Sequence, residues 1–134
     1  MRPLLFAVVL GLMTPAAPLA TASAAPDDQA NANCFTSTQW HGWSASHDGD
    51  VLYLRVGLND VYRLDLTPGT HLHRYGDEFL VNRARGSTWV CHPVDLDLTL
   101  NDQHGGIVRP IIATSLRKLT PQEVEALPPR ERPS

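Results

Sequence analysis

The chain has 134 residues, of which 43% are hydrophobic, and carries 11 basic against 14 acidic side chains for a formal charge of −3. Its charge is mild, of mixed sign and nowhere gathered into a basic cluster, which argues against nucleic-acid binding, since that leans on Lys and Arg contacts to phosphate. Only the first residues contain an apolar run of note, and it is too short for a membrane span, which takes about 20 apolar residues.

That opening, "MRPLLFAVVLGLMTPAAPLATASAAPDD", has one basic residue (Arg2), an apolar run from Leu4 to Met13, and small residues at Ala22-Ser23-Ala24. This is the layout of a secretory signal peptide, residues 1–24, cut after Ala24. Cleavage takes away one basic and no acidic residue and leaves 110 residues with a formal charge of −4. A periplasmic or secreted protein without a membrane span is expected. At this length one domain is expected. Residues 25–33, "APDDQANAN", offer nothing to bury and read as a mobile leader; "PPRERPS" at 128–134, with three prolines in seven residues, reads as a disordered tail. The folded unit is then about 34–127.

Exactly two cysteines occur, Cys34 and Cys91. In an oxidising compartment the default for such a pair is one disulfide, and the rival reading is a free catalytic or redox thiol.

Period two dominates the folded unit. In "DVLYLRV" Leu52, Leu54 and Val56 share a face, and in "DVYRLDL" Tyr62, Leu64 and Leu66 do so, with Arg63 and Asp65 opposite. Both segments read as half-buried strands. Asp48-Gly49 in "HDGD" is a hairpin signal that pairs "STQWHGWSAS" with 51–56, and "GLND" at 57–60 predicts a second tight turn. Trp40 and Trp43, three apart on a regular strand, face opposite sides; one belongs in the core and the other lies partly exposed with His41.

Beyond the loop "LTPGTHLHRYGD", strands near 78–83 and 87–92 suggest a hairpin around "ARGS", although a short helix also fits 77–84. "DLDLTL" alternates, with Leu96, Leu98 and Leu100 inward and Asp95, Asp97 and Thr99 outward. "IVRPIIATSL" supplies a last strand, in which Pro110 demands an edge or a bulge. In "LTPQEVEAL", Thr120, Pro121 and Glu123 form a capping box that starts a helix, stopped after Leu127 by Pro128-Pro129. Val124 and Leu127 would pack on the sheet.

With these elements in order, the chain resembles a family of small exported bacterial proteins known only as a domain of unknown function. The matching pieces are "CFTSTQWHGW" after the signal peptide, the "DVLYLRVGLNDVYRLDL" hairpin core, "STWVCHPVDLDL" and the closing "LRKLTPQEVEAL", spanning about 34–127. Members of that family often carry a further cysteine in the strand before "LTPQE". Here "IVRPIIATSL" has none, so the resemblance implies only the Cys34–Cys91 bridge. It implies location and fold, and supplies no activity.

Candidate chemistry is sparse. His71-x-His73 places two imidazoles on one face of an extended segment, a spacing used by zinc and copper sites, and His92, Asp95 and Asp97 are the residues available to complete such a site. The competing reading is solvated loop histidines. Cys91 and His92 are neighbours on a strand and so point to opposite faces, which argues against a nucleophile and base pair. There is no G-x-S-x-G, CxxC, HExxH or phosphate-cradling glycine loop. Asp48/Asp50, Asp95/Asp97 and Glu123/Glu125 occupy turn, outward-strand and helix-surface settings. The loop 67–77, with His71, His73, Arg74 and Tyr75, is the most suggestive surface piece.

The expectation is an all-β domain: a small antiparallel meander of six or seven strands, curled or barrel-like, with one short carboxy-terminal helix. A closed or partly open barrel is preferred to a sandwich because consecutive hairpins can close exposed edges. Functionally, a non-enzymatic binding or envelope-associated module without a cofactor is expected, with an envelope protein or a small ligand as partner. A periplasmic metal-binding protein using His71 and His73 is the alternative.

Overall fold

The structure is a computed structural model and describes residues 34–72, 78–86, 88–104 and 106–134. Residues 1–33, where a signal peptide and a mobile leader are expected, and His73 to Asp77 lie outside the described residues.

The described residues begin with a two-residue strand, β1 (Phe35–Thr36), followed by β2 (Trp40–Ala45), β3 (Val51–Val56) and β4 (Asp60–Asp65). Both predicted hairpins form: β2 pairs antiparallel with β3, and β3 with β4. Between β2 and β3, Gly49 takes φ +75°, and the backbone of Leu72 packs so closely that a Cβ there would overlap it. Only glycine meets both demands.

Alternation then sorts the side chains. Leu52, Leu54, Val56, Tyr62, Leu64 and Leu66 all lie buried in one core. The opposite face of β3 and β4 carries Tyr53 and Val61, which are also buried, in a second cluster with Leu119. The sheet is therefore covered on both sides, and the second cover is the helix α1 (Pro121–Ala126), whose Val124 packs there with Leu127, as predicted. Thr120 caps this helix as expected: Thr120 Oγ1 accepts from Glu123 N at 3.2 Å and Glu123 Oε2 from Thr120 N at 2.8 Å.

Later strands follow the predicted elements but not the predicted partners. β5 (Glu78–Asn82) is a strand rather than a helix, yet it pairs with β7 (Leu98–Asp102); β6 (Trp89–Val90) pairs with β1. The expected β5–β6 hairpin is replaced because each strand finds a longer or better-buried partner elsewhere. β8 (Ile107–Ile111) flanks β7 at the edge of this second sheet, with Pro110 opposite Thr99, so the missing proline donor faces no ladder beyond.

After β8 the chain changes sheets. Thr67 N–H donates to Ile112 O at 3.0 Å, Thr114 N–H to Asp65 O at 2.7 Å, and Leu66 bridges Ala113. β9 (Arg117–Lys118) then completes the first sheet beside β4. The result is nine short strands among the described residues, in sheets ordered β2-β3-β4-β9, β5-β7-β8 and β1-β6. The fold is all-β with one short helix, curled by the segment shared between sheets. The barrel does not close: among the described residues no ladder joins the outer strands β2 and β5.

Three local expectations change. The β2–β3 register shifts between Trp40 and Gly42, so that Trp40 opposes Val56 and Trp43 opposes Leu54. Those partners share a face, and the one-residue bulge therefore turns both tryptophans toward the same core. Thr99 is not outward on a wet face but 7% exposed, with Asn101 at 8%, and neither Thr99 Oγ1 nor Asn101 Oδ1 finds a hydrogen bond. Central position in β7 buries them between neighbouring strands. Finally, residues 128–134 are not a free tail. Ser44 Oγ donates to Glu131 O at 2.5 Å, Pro133 is buried, and the Ser134 carbonyl packs where Gly42 has no side chain. Composition alone underrates such a segment because a few specific contacts hold it.

Candidate functional site

The cysteine corner begins as a covalent joint. Cys34 and Cys91 form a disulfide, with Cα atoms 4.2 Å apart and a sequence separation of 57. Both thiols are consumed, so neither serves as a nucleophile in this state. The bridge sits at the entry to the β1–β6 pair, where Phe35 opposes Val90 and Thr36 opposes Trp89. Phe35 and Val90 point into the core, and the Phe35 ring lies 4.6 Å from that of Tyr62, whose hydroxyl donates to Cys34 O at 3.2 Å. Alternation sends the next residue outward: Trp89 is left 58% exposed.

Immediately after the bridge, the chain makes a 3-10 turn over Pro93–Asp95. Asp95 Oδ2 accepts the N–H groups of Cys91 and His92, both at 2.9 Å. These two backbone donors, the Cys91 one foremost, hold the Asp95 carboxyl below its ordinary pKa. Asp95 is thus an internal acceptor that shapes the corner, and not the outer face of a strand; the strand starts only at Leu98. The sequence does contain a signal for this: Pro93 opening a turn that Asp95 closes onto His92 is a capping-box pattern. At the apex of the turn Val94 is 88% exposed.

A second loop is fastened to this one. Asn82 Oδ1 accepts from both Ala84 N and Asp97 N at 3.1 Å, and Arg83 N donates to Asp97 O at 2.7 Å. Between the loops lies an open cleft of about 340 Å³ lined by Ala84, Arg85, Val94, Asp95, Leu96 and Asp97. The Arg85 guanidinium has no hydrogen-bond or ion-pair partner among the described residues. The corner therefore presents an exposed Val94 in a cleft with an unpaired cation, and an exposed Trp89 on the strand that leads into it.

The histidine candidates are not gathered here. His92 is 74% exposed, its Nδ1 3.7 Å from Asp95 Oδ2. His71 lies on another loop, at φ +45°, with Nδ1 3.3 Å from Asp48 O and its own carbonyl accepting from Arg109 Nη2 at 2.9 Å. His73, Arg74 and Tyr75 lie outside the described residues. Among the described residues no group of three or more His, Cys, Asp or Glu side chains is placed to hold a metal ion.

Of the other carboxylate pairs, Asp50 has one buried oxygen without a hydrogen bond, and Glu123 has structural partners. Glu123 caps its helix and takes both Arg117 hydrogen bonds, at 2.9 and 3.1 Å, while the Glu125 carbonyl accepts from Arg132 at 2.6 Å. Asp65, unmarked in the sequence, is more engaged than any of them: Ser115 Oγ donates to it at 2.5 Å and Arg63 Nε at 2.9 Å. The Ser115 hydrogen bond, followed by Arg63, lowers its pKa. Among the described residues no helix is long and apolar enough to cross a membrane. Compared with known proteins, the chain matches no family model, no curated protein and no solved structure.

Proposed function

We propose that the protein is an exported, non-enzymatic binding module of the bacterial envelope, and that the disulfide corner is its contact surface for a protein partner. The observation that carries the reading is the exposure of Trp89 on β6 and of Val94 on the following turn, on either side of the disulfide and with the turn fixed by Asp95. Exposed aromatic anchors on a fixed backbone lose little entropy on binding, and Trp and Arg are the residue types that dominate interface energetics. Arg85 and Asp97 would supply the polar rim, where charges set orientation more than affinity. Export follows from the signal peptide at 1–24 and agrees with a chain whose only two cysteines are bridged.

The test compares wild-type protein, a Trp89→Ala/Val94→Asp variant and a Leu58→Ser control in quantitative capture from native envelope extracts, with cell fractionation run in parallel. Leu58 is an exposed apolar side chain in the β3–β4 turn and is not among the residues of the proposed surface. Loss of a hot-spot Trp costs about 2 kcal/mol or more, so the corner variant should retain its partner roughly 30-fold less well while the control binds like wild type. Equal capture by all three proteins would overturn the assignment of the surface, and a cytoplasmic pool of uncleaved chain would overturn export.

A further inference from the structure

A separate cavity lies at the far end of β2, built by the chain's last residues. Residues Pro129–Glu131 form a 3-10 turn. The turn is fixed against β2 by Ser44 Oγ donating to Glu131 O at 2.5 Å, and by the His47 backbone N–H donating to Glu131 Oε1 at 2.9 Å. On its other side Arg132 donates to Leu127 O at 3.0 Å and to Glu125 O at 2.6 Å, which ties the turn to the end of α1. The wall so formed encloses, with the end of β2, a cleft of about 490 Å³ lined by Ala45, His47, Pro128, Pro129, Arg130 and Glu131.

Size and chemistry both point to a small molecule. Sites for such ligands span roughly 300–1,000 Å³, with an apolar floor and a few orienting polar groups. Here Ala45, Pro128 and Pro129 supply the floor, and two rigid prolines bind an apolar body without losing side-chain rotamer freedom. Glu131 already has one carboxylate oxygen occupied by the His47 amide. By contrast, neither the His47 imidazole nor the Arg130 guanidinium has a hydrogen-bond or ion-pair partner among the described residues. Unspent donors on Arg130 and His47 thus stand beside one unspent carboxylate oxygen, Glu131 Oε2, and of these groups the guanidinium is shaped to take a ligand carboxylate through two parallel hydrogen bonds.

We infer that this cleft is a binding site for a small organic carboxylate with an apolar body, the carboxylate on Arg130 and His47 and the body on Ala45, Pro128 and Pro129. It stands apart from the disulfide corner and does not depend on that corner's role.

Nuclear magnetic resonance titration of the isotope-labelled mature chain tests it, with 3-phenylpropanoate as probe and 3-phenylpropanamide and 3-phenylpropylamine as its neutral and cationic counterparts. Saturable shifts of the Ala45, His47, Arg130 and Glu131 amides are expected with the carboxylate, at least several-fold tighter than with either counterpart. Arg130→Gln should weaken the carboxylate roughly tenfold and leave the amide unchanged, with the rest of the spectrum showing that the fold is intact; His47→Gln should give a smaller loss in the same direction. Equal binding of the three probes, tighter binding of the amine, no saturable shift, or an Arg130→Gln protein that binds like wild type would each overturn the inference.

Discussion

Removing the disulfide is the sharpest test of how the fold is held. Bridging residues 57 apart removes loop-closure entropy from the unfolded chain worth about 4 kcal/mol on the chain-entropy estimate. That is a large part of the 5–15 kcal/mol typical of a domain this size. Little else holds the first residues: the β1–β6 pair is two residues long, supported by the Phe35–Tyr62 ring contact, the Tyr62 hydroxyl and a Ser37 N to Thr88 O hydrogen bond of 2.7 Å. A Cys34→Ala/Cys91→Ala chain should therefore lose about 4 kcal/mol in urea unfolding, and its Tm should fall by about 15–30 °C. The urea m-value should rise, because the unfolded chain without the bridge exposes more surface. A loss below about 1.5 kcal/mol with an unchanged m-value would refute the reasoning, and would mean that the corner is held by packing of Phe35 and Val90 alone.

Other perturbations address separate parts of the structure. Thr99→Val replaces a buried hydroxyl without a partner by a methyl of the same shape and should stabilise the protein by about 1 kcal/mol in the same urea assay. Gly42→Val inserts a side chain where the Ser134 carbonyl packs, so the last residues must lift; carboxypeptidase should then release them much faster than from wild type. Asp65, Asp95 and Glu123 all have folded pKa values below their ordinary ones, through the Ser115 hydroxyl, the Cys91 amide and the Thr120 amide respectively. Carboxylates depressed on folding stabilise the native state above the unfolded pKa and lose that contribution as pH falls through the folded one. Stability measured against pH should accordingly be level above about pH 5 and decline below about pH 4.5, and a triple Asp65→Asn/Asp95→Asn/Glu123→Gln chain should show a flatter acid limb.

Much of the first sheet was legible because its information is local. Leu52, Leu54 and Leu64 recur at period two, Asp48-Gly49 marks the turn, and Thr120 with Glu123 marks the helix start. What escaped depends on partners far along the chain. The phase of β2 slips at the Trp40–Gly42 bulge, although a glycine inside a strand was a hint of close backbone approach. The partner of β5 lies some 20 residues on, in β7, and alternation cannot choose between candidate partners that alternate equally well. At the corner, the bridge was expected from two cysteines in an exported chain, whereas the outward Trp89 was not read, because it follows only once Val90 is known to face inward. Asp95 was misplaced because strict leucine alternation from Leu96 masks a turn that ends there. The ordering of residues 128–134 was invisible to composition, since it rests on Ser44, His47 and Gly42 rather than on the segment's own hydrophobicity.

The segment 107–118 begins beside β7 and ends beside β4, and the two sheets therefore have no independent existence. Peeling either one away strips hydrogen bonds from a strand that the other also needs. Thermal or chemical denaturation should thus show one transition for both. The amides of Thr67 and Thr114, placed where the strand changes partners, should exchange with solvent only when the whole molecule opens.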